Sequence, residues 1–312
     1  MPKTLIAILN WNNAADTIAC IDSVIGVGDV HIAVMDNNST DDSLEKIKNY
    51  LGTKSKFVER TAADLERFDT DSSKVTVVAS DINGGFAKGN NVLLRTAMNT
   101  PGLEYVWLLN NDAVAEELAL DALIGKLDES ERNAFAGSVI LDGTNRDLIQ
   151  CCGVKYYKWF GVSKLIFKNR VWNEGAKTEI PYEEIDFQNG ASLLVRLSAL
   201  KEIGLMDERF FLYSEEHDWQ DTAKEKGYKN VLAAESIVYH KGSVSTNTRK
   251  HLFFYYYNKS AVIFARKHSP LLVRLVSTVL QTGVMLVRTR LYPKSVYWGF
   301  KGIFEGWSIS LR

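Results

Sequence analysis

Three carboxylates lie within four consecutive residues, where they could serve as a general base. Glu215, Glu216 and Asp218 follow an aromatic run and directly precede Trp219. Acids within one helical turn, beside aromatic side chains, are partly desolvated and can remove a proton from an attacking hydroxyl group. A structural alternative is also open, in which Ser214 is an N-cap and the acids form a helical first turn stabilised by the backbone dipoles.

Four loops rich in Asn, Asp, Ser and Gly each follow a predicted strand. They comprise residues 10–12, 36–41, 81–85 and 110–112. Ligands of open parallel sheets bind beyond the carboxyl ends of the strands, so we expect the four loops to share one rim and to form a binding site. Turn and capping roles explain any one of these loops taken alone.

The glycine loop at residues 84–90 follows a strand and opens a helix, which is the setting of many phosphate sites. Gly89 is followed by Asn90 and Asn91 rather than by Lys and Ser or Thr, so the loop is not a Walker motif. Its glycine spacing also misses the dinucleotide fingerprint. The sequence therefore argues against an ATPase and against a dehydrogenase.

A late histidine closes the predicted strand 230–239. His240 and Lys241 begin the string His-Lys-Gly-Ser-Val-Ser at residues 240–245. A lone histidine at a strand end is often structural, whereas a ligand role would use its imidazole nitrogen.

The elements that must position these groups alternate between strand and helix. Apolar β-type runs at residues 5–9, 31–35, 75–79 and 105–109 are each followed by a helical or loop-helix pattern. This alternation predicts a parallel sheet with helical crossovers. The polar stretch 59–74 is interpreted as a surface insertion, and the second half as mixed α+β with strands at 135–141, 230–239 and one ending at Val195.

Composition sets limits on the class of protein. The 312 residues are 46% hydrophobic and 24% charged, which indicates a globular chain. Its 37 basic and 38 acidic residues leave a net charge of -1, which argues against a duplex nucleic-acid binder. Three cysteines without metal spacing and a short apolar amino-terminal run favour a reducing, cytoplasmic location.

The loops taken together resemble a known family. Residues 10–12 (Asn-Trp-Asn), 35–41 (Met-Asp-Asn-Asn-Ser-Thr-Asp), 83–91 (Asn-Gly-Gly-Phe-Ala-Lys-Gly-Asn-Asn) and 108–112 (Leu-Leu-Asn-Asn-Asp) look like successive motifs of glycosyltransferase family two, in its rhamnosyltransferase-like branch. The resemblance covers roughly residues 4–268. It implies an α/β GT-A fold, with a mainly parallel central sheet flanked by helices and a C-terminal helical extension, and an inverting transferase.

By this resemblance the partners are a dTDP- or UDP-sugar donor and a glycan or lipid-linked acceptor in polysaccharide or lipopolysaccharide synthesis, with rhamnose as the first candidate sugar. Asp36 would contact the pyrimidine base, with Asn10 and Trp11 lining the base pocket. Asp112 would hold a divalent metal, Mg or Mn, and His240 would complete the metal site or contact the diphosphate. Lys241, Ser243 and Ser245 would be available to phosphate oxygens. The remaining residues assigned to donor binding are Asn38, Asn83, Gly84, Asn90, Asn111 and Lys241.

Two departures from the family pattern matter. The usual Asp-x-Asp metal motif here reads Asn-Asn-Asp, ending at Asp112, so a single carboxylate would share the metal with diphosphate oxygens and metal affinity without donor would be weak. Glu216 replaces aspartate at the catalytic-base position, and Asp218 and Glu215 remain rivals. A sugar-phosphate nucleotidyltransferase and a catalytically degenerate membrane-associated scaffold are the alternative functions.

The C-terminal segment 269–312 is predicted to be an amphipathic, basic helical unit beside a transferase domain at 1–268. Its uncharged run at 275–287 has 13 residues, fewer than the roughly 20 of a membrane-spanning helix. Basic residues around apolar faces favour an interfacial helix on an anionic membrane, and thus a peripheral enzyme on the inner face. The alternatives are a helical hairpin packed on the body and a homodimer contact.

Overall fold

The computed structural model describes residues 3–242 and 250–311. Strands and helices alternate through the first half, as the apolar runs predict, and the second half mixes both. The strands are β1 Thr4–Asn10, β2 Val30–Asp36, β3 Phe57–Thr61, β4 Val75–Ala79, β5 Tyr105–Asn110, β6 Ala113–Ala115, β7 Asn133–Asp142, β8 Ile149–Cys151, β9 Val154–Tyr157, β10 Val162–Leu165, β11 Ser192–Arg196 and β12 Lys229–His240.

The helices include three long ones at the carboxyl end. They are α1 Ala14–Val24, α2 Ser43–Lys54, α3 Gly85–Met98, α4 Ala119–Asp128, α5 Glu174–Thr178, α6 Leu197–Ile203, α7 Glu215–Glu225, α8 Lys250–His268, α9 Leu271–Thr289 and α10 Pro293–Ser308.

One large sheet runs through the molecule, in the order β3-β4-β2-β1-β5-β11-β7-β12-β6, with β8 paired to β7. The five strands from β3 to β5 are mutually parallel, and β11 is inserted antiparallel between β5 and β7. The predicted α/β class with a mainly parallel sheet and a helical extension is confirmed. The inserted β11 matters for function because it brings residues 189–192 next to the end of β5.

Apolar side chains cover both faces of the sheet. One cluster packs α1, α2 and α4 against it, with Trp107 and Ile8 fully buried. The other packs α3, α6 and α7 on the opposite face, around Phe135 and Trp219. Along the central strands, consecutive polar side chains occur only at the rim where the strands end. The two apolar clusters cover the rest of the sheet, so the polar groups that could do chemistry lie at the strand ends.

The polar stretch predicted as a surface insertion is partly a strand. Its first three residues belong to β3, which pairs in parallel with β4 at the sheet edge. Because an edge strand has a neighbour on one side only, Glu59, Arg60 and Thr61 stay exposed and the segment lacks the apolar run by which the other strands were found.

Candidate active site

The strand register aligns the four polar loops on one rim, as expected. Asn10 is the register partner of Asp36 on β2, and the preceding residue, Leu9, pairs with Asn110 on β5. Asp36 in turn pairs with Ala79, the last residue of β4. The loops after β1, β2, β4 and β5 therefore start at the same level of the sheet.

Asp36 is held in place by a buried network. Asn10 Nδ2 donates a hydrogen bond to Asp36 Oδ1 at 2.7 Å, and the Ser39 backbone N–H donates to Asp36 Oδ2 at 2.9 Å. Thr17 Oγ1 donates to Asn10 Oδ1 at 2.7 Å. Asn10 is completely buried, so it orients the Asp36 carboxylate from the protein interior. Trp11 is half-buried at the rim.

The loop after β2 is completed by Asn37, to which sequence reasoning gave no role. Asn37 Nδ2 donates to Asn83 Oδ1, and Asn37 Oδ1 accepts from the Gly84 N–H, both at 3.1 Å. Asn83 Oδ1 also accepts from the Gly85 N–H. Asn37 thus joins the second loop to the glycine loop, while its neighbour Asn38 is exposed with a left-handed backbone.

Gly85 brings the glycine loop against the aromatic run. Its φ is +76°, and a Cβ at this position would lie 2.1 Å from the Phe211 carbonyl oxygen. The Phe86 N–H donates to that same oxygen at 2.9 Å. Only glycine permits both the backbone conformation and the approach, and the contact ties the amino end of α3 to the segment that precedes the acids.

Two asparagines of α3 serve the fold. Asn90, predicted to bind the donor, is buried, and its Nδ2 donates to the Phe86 carbonyl one turn back in the same helix. Asn91 Nδ2 donates to the Met206 carbonyl at 2.8 Å, and its Oδ1 accepts from the Met206 N–H at 3.1 Å. Asn91 therefore holds the segment before the acid helix, and in the sequence it is visible as the last residue of the motif at 83–91.

Asp112 and His240 meet although 128 positions separate them in the chain. β12 pairs with β6, which places His240 opposite Ala113, and the His240 Nε2 lies 3.1 Å from Asp112 Oδ1. Both side chains are largely buried. The Lys241 N–H donates to the Asp112 carbonyl. The structure thus brings together the two residues predicted to hold a metal.

Gln150, on β8, determines which nitrogen of His240 carries a proton. Its Nε2 donates to the His240 carbonyl oxygen at 3.1 Å, and a carbonyl oxygen only accepts, so this bond orients the amide. Gln150 Oε1 then faces His240 Nδ1 at 2.6 Å and requires a proton on it. With the proton on Nδ1, the Nε2 lone pair faces Asp112 Oδ1 at 3.1 Å and the Asn110 Nδ2 donor at 3.3 Å.

This arrangement fits a divalent cation. Two acceptors, His240 Nε2 and Asp112 Oδ1, face each other at a distance that a bound cation would stabilise, and metal-binding histidines commonly donate their other N–H to such a partner. Within residues 3–242 and 250–311 no group of three or more His, Cys, Asp or Glu is arranged for a metal. The protein itself thus offers two ligands here, and substrate oxygens would have to supply others.

Asn111 and Lys241 attach this centre to α1. Asn111 Nδ2 donates to Thr17 Oγ1 at 3.0 Å. Lys241 forms an ion pair with Asp16. Burial raises the pKa of Asp16, but hydrogen bonds from Lys241 and Asn13 outweigh it, and the pKa lies below its usual value. Ser243 and Ser245 lie outside the described residues.

The acids begin helix α7, as the structural alternative expected, but Ser214 is not a side-chain cap. Tyr213 and Ser214 both have left-handed backbones, with φ of 70° and 66°, and the Ser214 hydroxyl makes no capping bond. Two successive non-glycine residues in this region are costly and are typical of functional sites. Trp219 is buried in the core, and its Nε1 donates a hydrogen bond to the Gly204 carbonyl.

Glu215 and Glu216 are strongly desolvated. Burial raises the pKa of Glu215 well above its usual value, and the neighbouring Glu216 raises it further. Burial also raises the pKa of Glu216, against backbone hydrogen bonding at Gly190. Among the described residues neither Oε2 atom has a hydrogen-bond partner. Glu216 lies along Gly190, in the loop before β11.

Asp218 differs from the two glutamates because it is fully paired. Lys267 Nζ lies 2.7 Å from its Oδ1, and His268 Nε2 lies 2.8 Å from the same oxygen. Both partners belong to the last turn of α8. His217, between the acids, is stacked between Phe187 and Phe264 with ring centroids 4.0 Å apart on each side. These contacts anchor α7 to α8.

Comparisons with known proteins agree with the geometry. Residues 5–203 match the sequence profile described as Glycosyl transferase family 2. Over 86 residues the chain is 34% identical to N-acetylglucosaminyl-diphospho-decaprenol L-rhamnosyltransferase of two Mycobacterium tuberculosis strains. That alignment covers 27% of this chain and only 28% of the relative's length.

Two solved structures share the fold. The mannosyltransferase PcManGT from Pyrobaculum calidifontis, in complex with GDP-Man and Mn2+, superposes with a TM-score of 0.57 at 12% identity, covering 98% of this chain and 86% of that one. GalNAc-T7, with UDP, GalNAc and Mn2+, gives a TM-score of 0.57 at 13% identity, covering 94% and 58%. At these identities the likeness establishes the GT-A architecture.

Proposed function

The chain belongs to glycosyltransferase family 2 and is a nucleotide-sugar glycosyltransferase, and from this premise we propose that it is a metal-dependent, inverting enzyme. It transfers a sugar from a nucleoside diphosphate to a glycan or lipid-linked acceptor. The observation that carries the proposal is the joining of two halves of one site: the Gly85–Phe211 contact holds the rim with Asp36 and Asp112 against the segment that presents Glu216.

The rim is the donor half of the site. We assign base recognition to the immobilised carboxylate of Asp36, with Trp11 beside it. We assign diphosphate binding to Asn111 and Lys241, with the glycine loop at Gly84 beside them. A cation held by Asp112 and His240 would stabilise the charge that develops on the departing diphosphate.

Glu216 is the catalytic base in this proposal. Burial raises its pKa, which makes the carboxylate a stronger base for the proton of the acceptor hydroxyl. Attack from the face opposite to the diphosphate inverts the anomeric centre, with no covalent enzyme intermediate. Asp218, paired with Lys267 and His268, anchors the helix, and Glu215 is the alternative base.

The donor and acceptor are proposed at a finer level from the partial relative. That relative is named as a rhamnosyltransferase acting on a diphospho-decaprenol acceptor. We therefore propose a dTDP-sugar, with rhamnose first and UDP-sugars second, and a lipid-linked acceptor in cell-surface polysaccharide synthesis at the inner face of the membrane. The division into a domain at 1–268 and a helical unit at 269–312 remains part of this proposal.

A paired assay tests the function. Binding of pyrimidine and purine nucleoside diphosphates and their sugars is measured by thermal shift, with and without Mg2+ or Mn2+. A ligand at 100 times its Kd adds about 2.7 kcal/mol to the free energy of unfolding. A metal-dependent shift with one pyrimidine nucleotide supports the site, and no shift with any nucleotide contradicts it.

Transfer is then measured for Glu216→Gln beside Glu66→Gln, an exposed glutamate of the polar segment. We expect the Glu216 variant to lose transfer by at least about 100-fold, the usual contribution of a general base, while donor binding stays near wild type. Normal turnover in Glu216→Gln removes the base assignment. Turnover by the wild type also excludes the degenerate scaffold.

A further inference from the structure

The last two helices are packed with their small and polar residues inward. A globular helix buries its large apolar residues and exposes its polar ones, and here that order is reversed. The buried residues of α9 are Val273, Ser277, Gln281, Met285 and Thr289, and those of α10 are Ser295, Gly299, Gly302 and Gly306.

Close backbone contacts fix this orientation. A Cβ at Gly302 would lie 2.2 Å from the Tyr255 carbonyl oxygen of α8, and one at Gly299 would lie 2.6 Å from Met285 Sδ of α9. The glycines therefore allow α10 to approach both helices closely, and a rotation that turned its aromatic side chains inward would be blocked. The outward face is a consequence of this packing.

The result is a concentrated apolar surface. Among the described residues, 18 large hydrophobic side chains are exposed, and 11 of them lie between residues 271 and 304. The tip of the β9–β10 hairpin, which contacts α9 at Gly161, adds exposed Trp159 and Phe160. The 11 are Leu271, Leu272, Leu275, Val279, Leu280, Val287, Leu291, Tyr292, Tyr297, Phe300 and Phe304. We call the outward side of α9 and α10, with this tip, the apolar face.

Positive charge accompanies the apolar face. Residues 271–308 contain five basic residues and one acid, Glu305, which is paired with Lys259 of α8. No ion pair within the described chain involves Arg288 or Arg290. Both line a cavity of about 500 Å³ between the end of α9 and the start of α10. The body of the protein, by contrast, carries net negative charge.

We propose that the apolar face is a docking surface for an anionic lipid bilayer, with α9 and α10 lying in the interface. Apolar side chains would enter the acyl boundary, and the arginines would meet lipid phosphates. By length and composition α9 is the one described helix able to cross a membrane, with a mean hydropathy of 1.5. Its inward stripe and the arginines near both its ends, Arg274 and Arg288, favour a helix that lies flat.

Membrane docking is a property separate from sugar transfer, but it affects how an acceptor reaches the acids. α8 contacts α10 through Tyr255. On its other sides, Tyr256 stacks on Phe211 with ring centroids 4.6 Å apart, and Phe253 meets Tyr213 edge to face at 5.4 Å. One helix thus separates the lipid from the segment before Glu215. A lipid-linked acceptor would reach the acids along α8.

Co-sedimentation of the full-length protein with vesicles tests the docking, and no donor is needed. Wild type should bind vesicles containing phosphatidylglycerol and should be released by salt and by alkaline carbonate. Arg288→Glu/Arg290→Glu should weaken binding at least about 20-fold, because each basic residue at an anionic surface contributes about fivefold. Its matched control is Lys54→Glu/Lys56→Glu, an exposed pair with the same spacing on the body.

A second pair of variants tests the apolar contribution without changing charge. Val279→Gln/Phe304→Gln alters residues 70% and 73% exposed, and Leu118→Gln, at a residue 68% exposed on the body, is the control. Only the first should reduce binding to vesicles containing phosphatidylglycerol. Absence of wild-type binding overturns the proposal, as does resistance to carbonate, which indicates a spanning helix. Lipid-free dimers that Val279→Gln/Phe304→Gln dissociates would instead assign the face to a second copy.

Discussion

Gln150→Leu removes the side chain that orients His240 while keeping a similar volume. The substitution deletes the acceptor at His240 Nδ1 and the donor to the His240 carbonyl. The imidazole can then rotate and can carry its proton on Nε2, which faces Asp112. In that tautomer Nε2 cannot bind a cation.

Gln150→Leu should lower both the metal affinity and the free energy of unfolding. Removing the hydrogen-bond partner of a metal-binding histidine typically lowers metal affinity 10- to 100-fold, which corresponds to about 1.4 to 2.8 kcal/mol. Two lost hydrogen bonds also lower the free energy of unfolding by about 2 kcal/mol. The variant should therefore fold and bind Mn2+ weakly.

Two measurements separate positioning from general damage. Electron paramagnetic resonance of free Mn2+, with saturating nucleoside diphosphate, gives the affinity, and 15N shifts of His240 in metal-free protein report the tautomer. Gln150→Glu restores an acceptor at Nδ1 and should recover the affinity to within about threefold. Thr144→Val, which removes an exposed hydrogen bond to Asp142 in the preceding loop, is the control.

Unchanged Mn2+ affinity together with an unchanged His240 tautomer in Gln150→Leu would refute the reasoning. Equal losses in Gln150→Leu, Gln150→Glu and Thr144→Val would also refute it, because they would indicate local unfolding rather than control of the ring.

Three further predictions follow from buried groups. Glu215→Gln should stabilise the fold by a margin that is small below the usual glutamate pKa, grows as pH rises from the usual to the raised pKa, and is constant above it, because only the wild type must hold a buried carboxylate. Melting temperatures across pH test this, and the same difference at every pH would contradict it. Gly85→Ala should lower the free energy of unfolding by about 2 to 3 kcal/mol, because it strains the backbone and removes the hydrogen bond to Phe211. The control Gly52→Ala, in an exposed helix with nothing within 4 Å of its Cβ, should be neutral or stabilising. Denaturant titration measures both, and equal effects would exclude the close contact as the cause. Asp112→Asn should weaken metal-dependent donor binding while leaving binding without metal unchanged, measured by calorimetry with and without Mn2+; equal losses under both conditions would count against a metal role.

Much of the fold could be predicted from local pattern. The apolar runs at β1, β2, β4 and β5 and the following helices appear close to the predicted positions because each strand is buried on both faces. β3 was missed because an edge strand keeps polar residues. The reversed packing of α9 and α10 was also beyond local pattern, since composition does not show which side of a helix meets its neighbours.

The candidate site divides in the same way. Asp36, Asp112, Glu216 and His240 could be selected because their residue types and positions at the ends of strands or the start of a helix are visible along the chain. Gln150 carries no signal of this kind, because a glutamine between two buried residues of a short strand is unremarkable until β8 pairs with β7 and brings it to His240.

The sequence by itself determined the order of strands and helices, the polar rim and the identity of the acids, because these depend on neighbours within a few residues. Which acids form ion pairs and which do not depends on the tertiary structure. Asp218 and Glu216 are two residues apart, yet α8 neutralises the first with Lys267 and His268 and leaves the second desolvated. The reason is physical: desolvation and charge pairing depend on the atoms within a few ångströms, and those atoms come from parts of the chain about 50 residues away.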